Sequence, residues 1–274
     1  MSFAGELIRR IWRRIAGEPS SATAGSALDA SGTAVPAPPD AGPGKTGPFP
    51  SKDNFFKRVI SCGVQVSEIV DVGVREGTYE LAFNFPGHRH HLFEPAKYCV
   101  KDIAQNYSTI DHVLYRKALG RTNALRYLVS SSLKKNGQPT HCSIADEKPV
   151  VDGLDVVSVE EFRIERFDSL DIDLKHNYLL KVDVDGADTD VLAGFGDRIK
   201  SASVVVVEST AWFVQERVAL LQGAGFSLID IVDLAYYGQA LYQLDLCFIR
   251  NDLMTAGLRP DIMQFDAALW KEIT

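Results

Sequence analysis

The sequence has little of three features that would point to other classes of protein. It has only four cysteines in 274 residues, scattered without a C-x-x-C pair, which excludes a disulfide framework and predicts reduced thiols. It contains no apolar run long enough to cross a membrane, and its basic start lacks the apolar stretch of a secretion signal. The net charge of −7 argues against general nucleic-acid binding, because neutralising phosphates requires a basic surface. We therefore expect a cytoplasmic protein.

The first glycine loop has too few glycines to cradle a pyrophosphate. Residues 69–77 combine the end of an apolar run with the motif Asp71-x-Gly73-x-x-x-Gly77. A dinucleotide site instead needs G-x-G-x-x-G. The acid would also repel phosphate. The loop suits a ligand that has no phosphate but carries an ammonium, a sulfonium and a ribose diol, which describes S-adenosylmethionine. Gly73 and Gly77 allow the backbone to approach such a ligand, and Asp71 helps to hold its amino-acid end.

Two later apolar runs also end in acid, at Glu94 and within residues 180–186. Buried parallel strands whose carboxyl ends open into one crevice have this pattern. Glu94 lies at the spacing from the glycine loop at which a doubly wound fold places the acid for both ribose hydroxyls. Pro95 suits the first position of the next helix. The alternative is that Asp71 and Glu94 only cap the helices that follow them; together they favour the cofactor.

The alternation of strands and helices predicts a doubly wound α/β sheet. The segment 121–175 is too long for a simple connection, so we place acceptor recognition in it; residues 125–129 and 162–167 are strand-like, and residues 134–148 are polar. The predicted strands of the sheet cover residues 68–74, 88–93, 112–119, 178–184, 202–208, 227–234 and 244–250. Helices are predicted at residues 54–61, 79–85, between 95 and 107, up to residue 193, and from residue 214 to Gly223. The helix that runs to residue 193 is expected to have Asp188 or Thr189 as its N-terminal cap.

The sequence before residue 51 differs from the rest of the chain. The pattern of residues 1–16 predicts a basic amphipathic helix with the apolar positions Leu7, Ile8, Ile11, Trp12 and Ile15. This helix would contact an anionic membrane surface or a protein partner, or it would be frayed or docked on the chain itself without a partner. Residues 17–50 are rich in Ala, Gly, Ser and Pro and predict a disordered linker. Residues 51–274 are expected to form the catalytic domain.

The ordered motifs resemble the FkbM family of methyltransferases, in which D-V-G-A-N-x-G, F-E-P and K-[IV]-D-V-E-G-x-E follow one another. The resemblance covers about residues 66–250 and includes Ala118-Leu119-Gly120 and Ser131-Ser132-Leu133. It implies the Rossmann-like class I methyltransferase fold, a mostly parallel sheet of seven strands ordered 3-2-1-4-5-7-6 with an insertion between strands 3 and 4, and S-adenosylmethionine as cofactor. The sequence departs from the family at Arg75, where Asn is usual, and at Asp185 and Asp188, which replace Glu.

The fourth predicted strand carries the candidate catalytic residues. Lys181, Asp183 and Asp185 share one face by the period of two. A lysine and an acid are unusual in an interior strand, which is normally apolar, so we expect them to have a function. We interpret Asp183 as the base or acceptor-orienting group and Lys181 as the residue that fixes its ionisation. The alternative is a purely structural ion pair. The remaining site residues are, for the cofactor, Asp71, Gly73, Gly77, Glu94, Ala118, Leu119 and Asp183, and for the substrate, Ser132, Asp185, Asp188, Glu208 and Tyr237.

These observations predict an O-methyltransferase that acts on a hydroxyl, with a sugar of a glycan or glycosylated metabolite as acceptor by family resemblance. Methylation of a polyketide or another small molecule, and an inactive scaffold in which Arg75 blocks the cofactor, are the alternatives. The acids from Asp183 to Asp190 do not satisfy an EF-hand pattern, so a divalent metal is a less favoured cofactor. We expect no nucleic-acid partner, and the sequence leaves a homo-oligomer open.

Overall fold

A computed structural model describes residues 50–132, 141–145, 147–148, 156–259, 263 and 267–269. The chain divides into two units, residues 1–46 and 47–274, and every described residue belongs to the second. The predicted amphipathic helix of residues 1–16, and the linker apart from residue 50, lie outside the described residues.

The described residues form eleven strands and five α-helices. The strands are β1 (Glu68–Val72), β2 (Arg89–Phe93), β3 (His112–Tyr115), β4 (Ala118–Leu119), β5 (Ala124–Ser131), β6 (His141–Ala145), β7 (Val156–Glu165), β8 (Tyr178–Val182), β9 (Ala202–Thr210), β10 (Phe226–Tyr237) and β11 (Ala240–Arg250). The helices are α1 (Lys52–Ser61), α2 (Tyr79–Asn84), α3 (Val100–Asn106), α4 (Asp188–Gly194) and α5 (Val214–Gly223).

Seven strands form the central sheet in the order β3-β2-β1-β8-β9-β11-β10. All neighbours are parallel except β11, which runs antiparallel to both β9 and β10. Numbered along the sheet-forming strands alone, this is the expected order 3-2-1-4-5-7-6, so the predicted fold class is confirmed. The carboxyl ends of β1, β2, β8 and β9 therefore lie along one edge.

The central sheet is buried on both faces, which is why its inner strands are almost continuously apolar. β1 and β8 are buried at every residue. Phe55, Phe56 and Val59 of α1 pack on one face, together with alternate residues of β9 such as Val206. Leu192 of α4 and Leu221 of α5 pack on the other face, with Val205 and Val207 of the same strand. Because side chains alternate along a strand, each strand contributes to both cores.

The insertion forms a second sheet of four strands in the order β4-β7-β5-β6. The prediction that the third strand runs to Leu119 was wrong, because the chain turns at Lys117 and β4 then pairs with β7 instead of β2. The predicted strand to Phe167 also ends early, at Glu165, and Phe167–Ser169 is a turn of 3-10 helix. Within the polar segment 134–148, His141–Ala145 is a strand that pairs with β5.

Two predicted helix starts are also wrong. Pro95 is not the first helical residue, since a 3-10 turn begins at Lys97 and α3 follows it at Val100. Neither Asp188 nor Thr189 caps α4, because Ala187 occupies the cap position and Asp188 is already the first helical residue.

Candidate active site

The glycine loop after β1 lies directly against the chain that leaves β8. Gly73 has φ +82°, and a Cβ at this position would lie 1.7 Å from the Asp183 carbonyl oxygen. The approach is fixed by hydrogen bonds, since the Asp183 amide donates to Val72 O at 3.0 Å and the Gly73 amide to Phe93 O at 3.0 Å. Only glycine fits here, for both backbone angle and space. Gly77 closes the loop with φ +144°.

Glu94 follows β2 and is held by two backbone amides. Its Oε2 accepts a hydrogen bond from the Arg75 amide at 2.8 Å and its Oε1 from the Ala96 amide at 2.9 Å. Burial raises the pKa of Glu94, and the two amides counteract that effect. Each carboxylate oxygen can accept a further hydrogen bond. The carboxylate is therefore fixed in place with acceptor capacity for the two hydroxyls of a ribose.

Arg75 supports this acid through its backbone and not through its side chain. Its φ is +52°, a left-handed conformation in which Asn is much more common than Arg. The guanidinium is 60% exposed and its Nε lies 2.9 Å from Glu76 Oε2. The departure from the family at this position therefore puts a cation on the loop surface, while the amide still holds Glu94.

A cleft of about 460 Å³ borders the outer side of the glycine loop. Its walls include Arg75 and Glu76 of the loop, together with Tyr98, Cys99 and Asp102 after β2. The volume lies in the range of small-molecule sites. Because Arg75 also holds Glu94, the cleft adjoins Glu94; Asp71 and Asp183 do not line it.

A buried ion pair lies beneath the loop. Asp71 and Lys181 are opposite each other in the β1–β8 register, and Lys181 Nζ lies 3.3 Å from Asp71 Oδ1 while donating to Gly73 O at 3.0 Å. Burial alone would lower the pKa of Lys181, but Asp71 and Asp183 outweigh it, so the pKa is raised and the ammonium stays charged. Burial raises the pKa of Asp71 and Lys181 opposes that rise. Asp71 is fully enclosed, so the structure places it under the loop and not on the ligand-facing surface.

Asp183 and Glu208 form a carboxyl pair that holds one proton at neutral pH. Burial would raise the pKa of Asp183, but the charge of Lys181, whose Nζ lies 3.3 Å from Oδ2, outweighs it, so the pKa lies well below its usual range. Burial, together with a hydrogen bond to Asp183 and the charge of that residue, raises the pKa of Glu208 to about 10. Glu208 is therefore the protonated partner and donates to the Asp183 carboxylate. The Asp183 side chain is 34% exposed, so it can meet a ligand.

Sequence reasoning missed two members of this charged group. Asp245 on β11 pairs in register with Glu208 on β9, and Lys52 of α1 lies 2.5 Å from Asp245 Oδ2 and 3.3 Å from Asp233 Oδ2. A signal for Asp245 was available, because Leu244-Asp245-Leu246 interrupts an apolar strand with an acid, as residues 182–184 do. Lys52 has no comparable signal, since it reaches the group from a helix distant in sequence.

The predicted substrate residues of the segment after β8 separate in the structure. Asp188 is buried, and its Oδ2 pairs with Arg217 Nη2 at 2.9 Å while its Oδ1 accepts from the Val184 amide at 3.1 Å. It therefore fixes the turn after Asp183 and offers no surface to an acceptor. Asp185 does not share the strand face of Lys181, because β8 ends at Val182 and Asp185 lies exposed in the turn with φ +47°.

The other predicted site residues lie at the borders of this region. Ala118 and Leu119 are buried, and Leu119 packs in the same core cluster as Phe93, next to Glu94. Ser132 is buried at the end of β5. Tyr237 is 64% exposed at the end of β10, beside the edge at which Glu208 and Asp245 lie.

The histidines and cysteines are structural in the described part of the chain. His90 and His91 of β2 are buried, and burial lowers the pKa of His90 to about 4. All four cysteines are free thiols. Among the described residues, no group of three or more His, Cys, Asp or Glu side chains is arranged to hold a metal ion, and no helix in these ranges is long and apolar enough to cross a membrane.

Comparisons with known proteins point to one family. The methyltransferase FkbM domain matches residues 71–228, whereas a search of curated proteins gave no match. Solved structures with a similar fold include a precorrin-6y C5,15-methyltransferase from Geobacter metallireducens (11% identity, 72% of this chain and 88% of that chain, TM-score 0.39). Another is an S-adenosylmethionine-dependent methyltransferase from Clostridium acetobutylicum (7% identity, 73% and 90% of the two chains, TM-score 0.41).

The strand order is that of a class I methyltransferase, and the FkbM domain match identifies an S-adenosylmethionine-dependent enzyme. The match covers more than half of the chain, and the chain belongs to the FkbM family of methyltransferases.

Proposed function

We propose that this enzyme methylates a hydroxyl group, and that the acceptor is a sugar of a glycan or of a glycosylated metabolite. The observation that carries the proposal is the Asp183 carboxylate, which is ionised, partly exposed and fixed by a buried ammonium 3.3 Å away. A hydroxyl is a poor nucleophile that needs a hydrogen-bond acceptor to orient it and to take its proton. An acceptor that is already a strong nucleophile would not need this carboxylate.

The residues around the loop fit S-adenosylmethionine, which supplies a methyl group already activated by a sulfonium when it is bound. Glu94 would accept hydrogen bonds from the ribose hydroxyls, since two amides fix its carboxylate without exhausting its acceptor capacity. Gly73 and Gly77 would bring the loop backbone close to the amino-acid end. Ala118 and Leu119 supply an apolar wall near Glu94. Asp71 contributes negative charge from below the loop and no direct contact, because it is enclosed.

Asp183 has two tasks in this proposal. It orients the acceptor hydroxyl by accepting its hydrogen bond, and it takes the proton as the new oxygen–carbon bond forms and the carbon–sulfur bond breaks. Because the pKa of Asp183 is low, the carboxylate is too weak a base to remove an alcohol proton beforehand. Proton transfer must therefore accompany bond formation, when the oxygen becomes acidic. Lys181 keeps Asp183 ionised and in position.

Exposed aromatic rings near the same edge support a sugar as the acceptor. Trp212 follows β9 and Tyr237 ends β10, and they are 51% and 64% exposed. Both rings flank Tyr242, with centroids 5.7 Å and 6.4 Å from it. Such rings combine a flat apolar face with a polar group, which suits the mixed surface of a pyranose.

The test combines binding and turnover. Calorimetry with S-adenosylhomocysteine should show binding to the wild type and to Asp183→Asn with affinities within about threefold, since the change adds no volume. Alkyl glycosides and their aglycone alcohols are then screened for a single added methyl by mass spectrometry. We expect methylated glycosides, and a turnover lower by about 100- to 10,000-fold in Asp183→Asn. Asp197→Asn is the matched control, because Asp197 is 93% exposed and pairs only with Lys200 in the described structure.

Each part of the proposal can fail separately. Full turnover by Asp183→Asn would exclude the proton-accepting role. Methylation of aglycones but not of glycosides would exclude the sugar acceptor. Failure of the wild type to bind S-adenosylhomocysteine would exclude the cofactor site itself.

A further inference from the structure

We infer that Lys52 is a positioning residue for methyl transfer, acting through Asp245 on the Asp183–Glu208 pair. The inference rests on the proposed role of Asp183 and adds a residue from α1, outside the segment 71–228 that matches the family. Lys52 stands at the start of α1, immediately after its Ser51 cap. A helix that precedes the matched segment would thus complete the charge arrangement of the site.

The geometry is a row of charged side chains across three neighbouring strands, β8, β9 and β11. In the β8–β9 register Val182 pairs with Val207, so the next positions, Asp183 and Glu208, face each other. Glu208 in turn pairs with Asp245 of β11. Three carboxyl groups therefore follow one another across the sheet edge. All of them lie on the face that α1 covers, because Val206 and Cys247, two residues away on β9 and β11, pack against that helix.

Lys52 closes this row at its far end. Its Nζ donates to Asp245 Oδ2 at 2.5 Å and lies 3.3 Å from Asp233 Oδ2. Burial would lower the pKa of Lys52, but Asp245 outweighs that effect, so the pKa is raised and the side chain is a cation at any working pH. Asp245 is 5% exposed, and burial raises its pKa while Lys52 opposes the rise. Without this cation the Asp245 carboxylate would be a buried charge that lacks its hydrogen-bonded partner.

The protonation of Asp183 and Glu208 depends on the charged side chains around them, and Lys52 is one of these. On the loop side, Lys181 and Asp71 act on Asp183, and Asp188 acts on Glu208. On the α1 side, Lys52 acts on Asp183 and Asp245 acts on Glu208, while Asp245 itself is affected by Asp233. The loop side has its own cation in Lys181, and the α1 side has only Lys52 among these groups. Removal of Lys52 makes protonation of every acid in the row easier. Asp183, the acceptor of the hydroxyl proton, would then remain ionised over a narrower pH range.

The first experiment needs no acceptor. Carboxyl carbons of the full chain are labelled with ¹³C, and the Asp183 signal is assigned by its loss in Asp183→Asn and titrated. In the wild type it should stay that of a carboxylate down to about pH 3, because Lys181 and Lys52 favour the ionised form. In Lys52→Met the midpoint should rise by at least about one pH unit, a tenfold change in proton affinity. Lys52→Arg should behave as the wild type.

A second variant separates this role from a merely structural one. In Lys52→Met/Asp245→Asn the buried charge is removed together with its partner, so the Asp183 midpoint should return to within about 0.3 units of the wild type. Lys57→Met is the matched control on the same helix, because Lys57 is 55% exposed and pairs with Asp53. It should change neither the titration nor turnover.

Turnover of a glycoside acceptor then tests the link to catalysis. The acid limb of kcat should move upward in Lys52→Met by the same amount as the midpoint, with KM for S-adenosylmethionine unchanged within about twofold. An unchanged Asp183 midpoint in Lys52→Met would overturn the inference and leave the proposed function standing. A shifted midpoint with an unchanged acid limb would overturn it as well. Full activity of Asp183→Asn would instead remove the proposed function on which it rests.

Discussion

The two faces of the central sheet are built from the same strands but differ at their carboxyl ends. On the face under α4 and α5, residues such as Val182, Val207 and Leu246 are apolar to the end of the strand. On the face under α1 the strands are apolar over most of their length, but each carries a charge near the edge formed by the carboxyl ends of β1, β8 and β9: Asp71, Lys181, Glu208 and Asp245. A strand interior tolerates a charged side chain where the register brings a partner from the neighbouring strand.

The largest effect on stability should come from removing Lys181, the buried cation on the face that α1 covers. Lys181→Met leaves Asp71 enclosed without its partner, so we expect the free energy of unfolding to fall by about 3–5 kcal/mol. Chemical denaturation followed by fluorescence measures the change. The double variant Lys181→Met/Asp71→Asn should recover most of the loss, because it also removes the unpaired charge. Wild-type stability of the single variant would show that this face does not need its ion pair.

A smaller effect is expected where the loop of β1 meets the end of β8. Gly73→Ala puts a Cβ 1.7 Å from the Asp183 carbonyl oxygen at φ +82°, so the loop must move, at a cost of about 3 kcal/mol from the backbone angle and the overlap together. Gly63→Ala is the control, since it has φ +72° with no atom within 4 Å and should cost only about 1 kcal/mol. Equal losses in the two variants would mean that the close approach contributes nothing.

The smallest effect concerns the proton held by Glu208. The pKa of Glu208 is raised from its ordinary 4.5 to about 10, so between these values the unfolded chain loses a proton that the folded chain keeps. Its contribution to stability is therefore complete below pH 4.5 and decreases as the pH rises toward 10. Glu208→Gln keeps a donor to Asp183 but cannot ionise.

The melting temperature of Glu208→Gln should fall less between pH 6 and pH 7 than that of the wild type, with a difference of about 3 °C. The Asp183 carboxyl does not disturb this comparison, because its lowered pKa confines its own contribution to acid pH. If the melting temperatures of the two proteins fell equally across this pH range, Glu208 would carry no proton in the folded state.

The strands that carry the site were predictable because each combines an apolar run with an acid. The start of β1 at Glu68 and the start of β8 at Tyr178 agree with the sequence analysis, and Asp183 meets Lys181 as expected. The period of two also placed Lys181 and Asp183 on one face. The same period of two was wrong for Asp185, because a left-handed turn follows the strand. An alternating pattern of residues does not reveal where such a turn begins.

The remaining parts of the site depend on contacts between distant segments. Asp245 joins Glu208 only because β11 inserts antiparallel between β9 and β10, and Lys52 joins Asp245 only because α1 covers that face. Asp188 resembled a ligand-binding acid in the sequence, but Arg217, which pairs with it, lies on α5. Local sequence patterns cannot identify such partners, because these residues are distant in sequence and meet only in the folded sheet.

The backbone amide of Arg75, and not its guanidinium, holds Glu94, the acid proposed to bind the ribose. An amide is present whichever side chain the residue carries, provided that the chain can adopt the left-handed angle. Natural drift at position 75 should therefore alter the surface charge of the loop while the affinity for the adenosine portion of the cofactor stays constant. With Glu94 in its proposed role, arginine at a site where the family usually carries asparagine should be a neutral variation, and a sequence profile that counts it as a lost motif would underestimate the number of members that bind the cofactor.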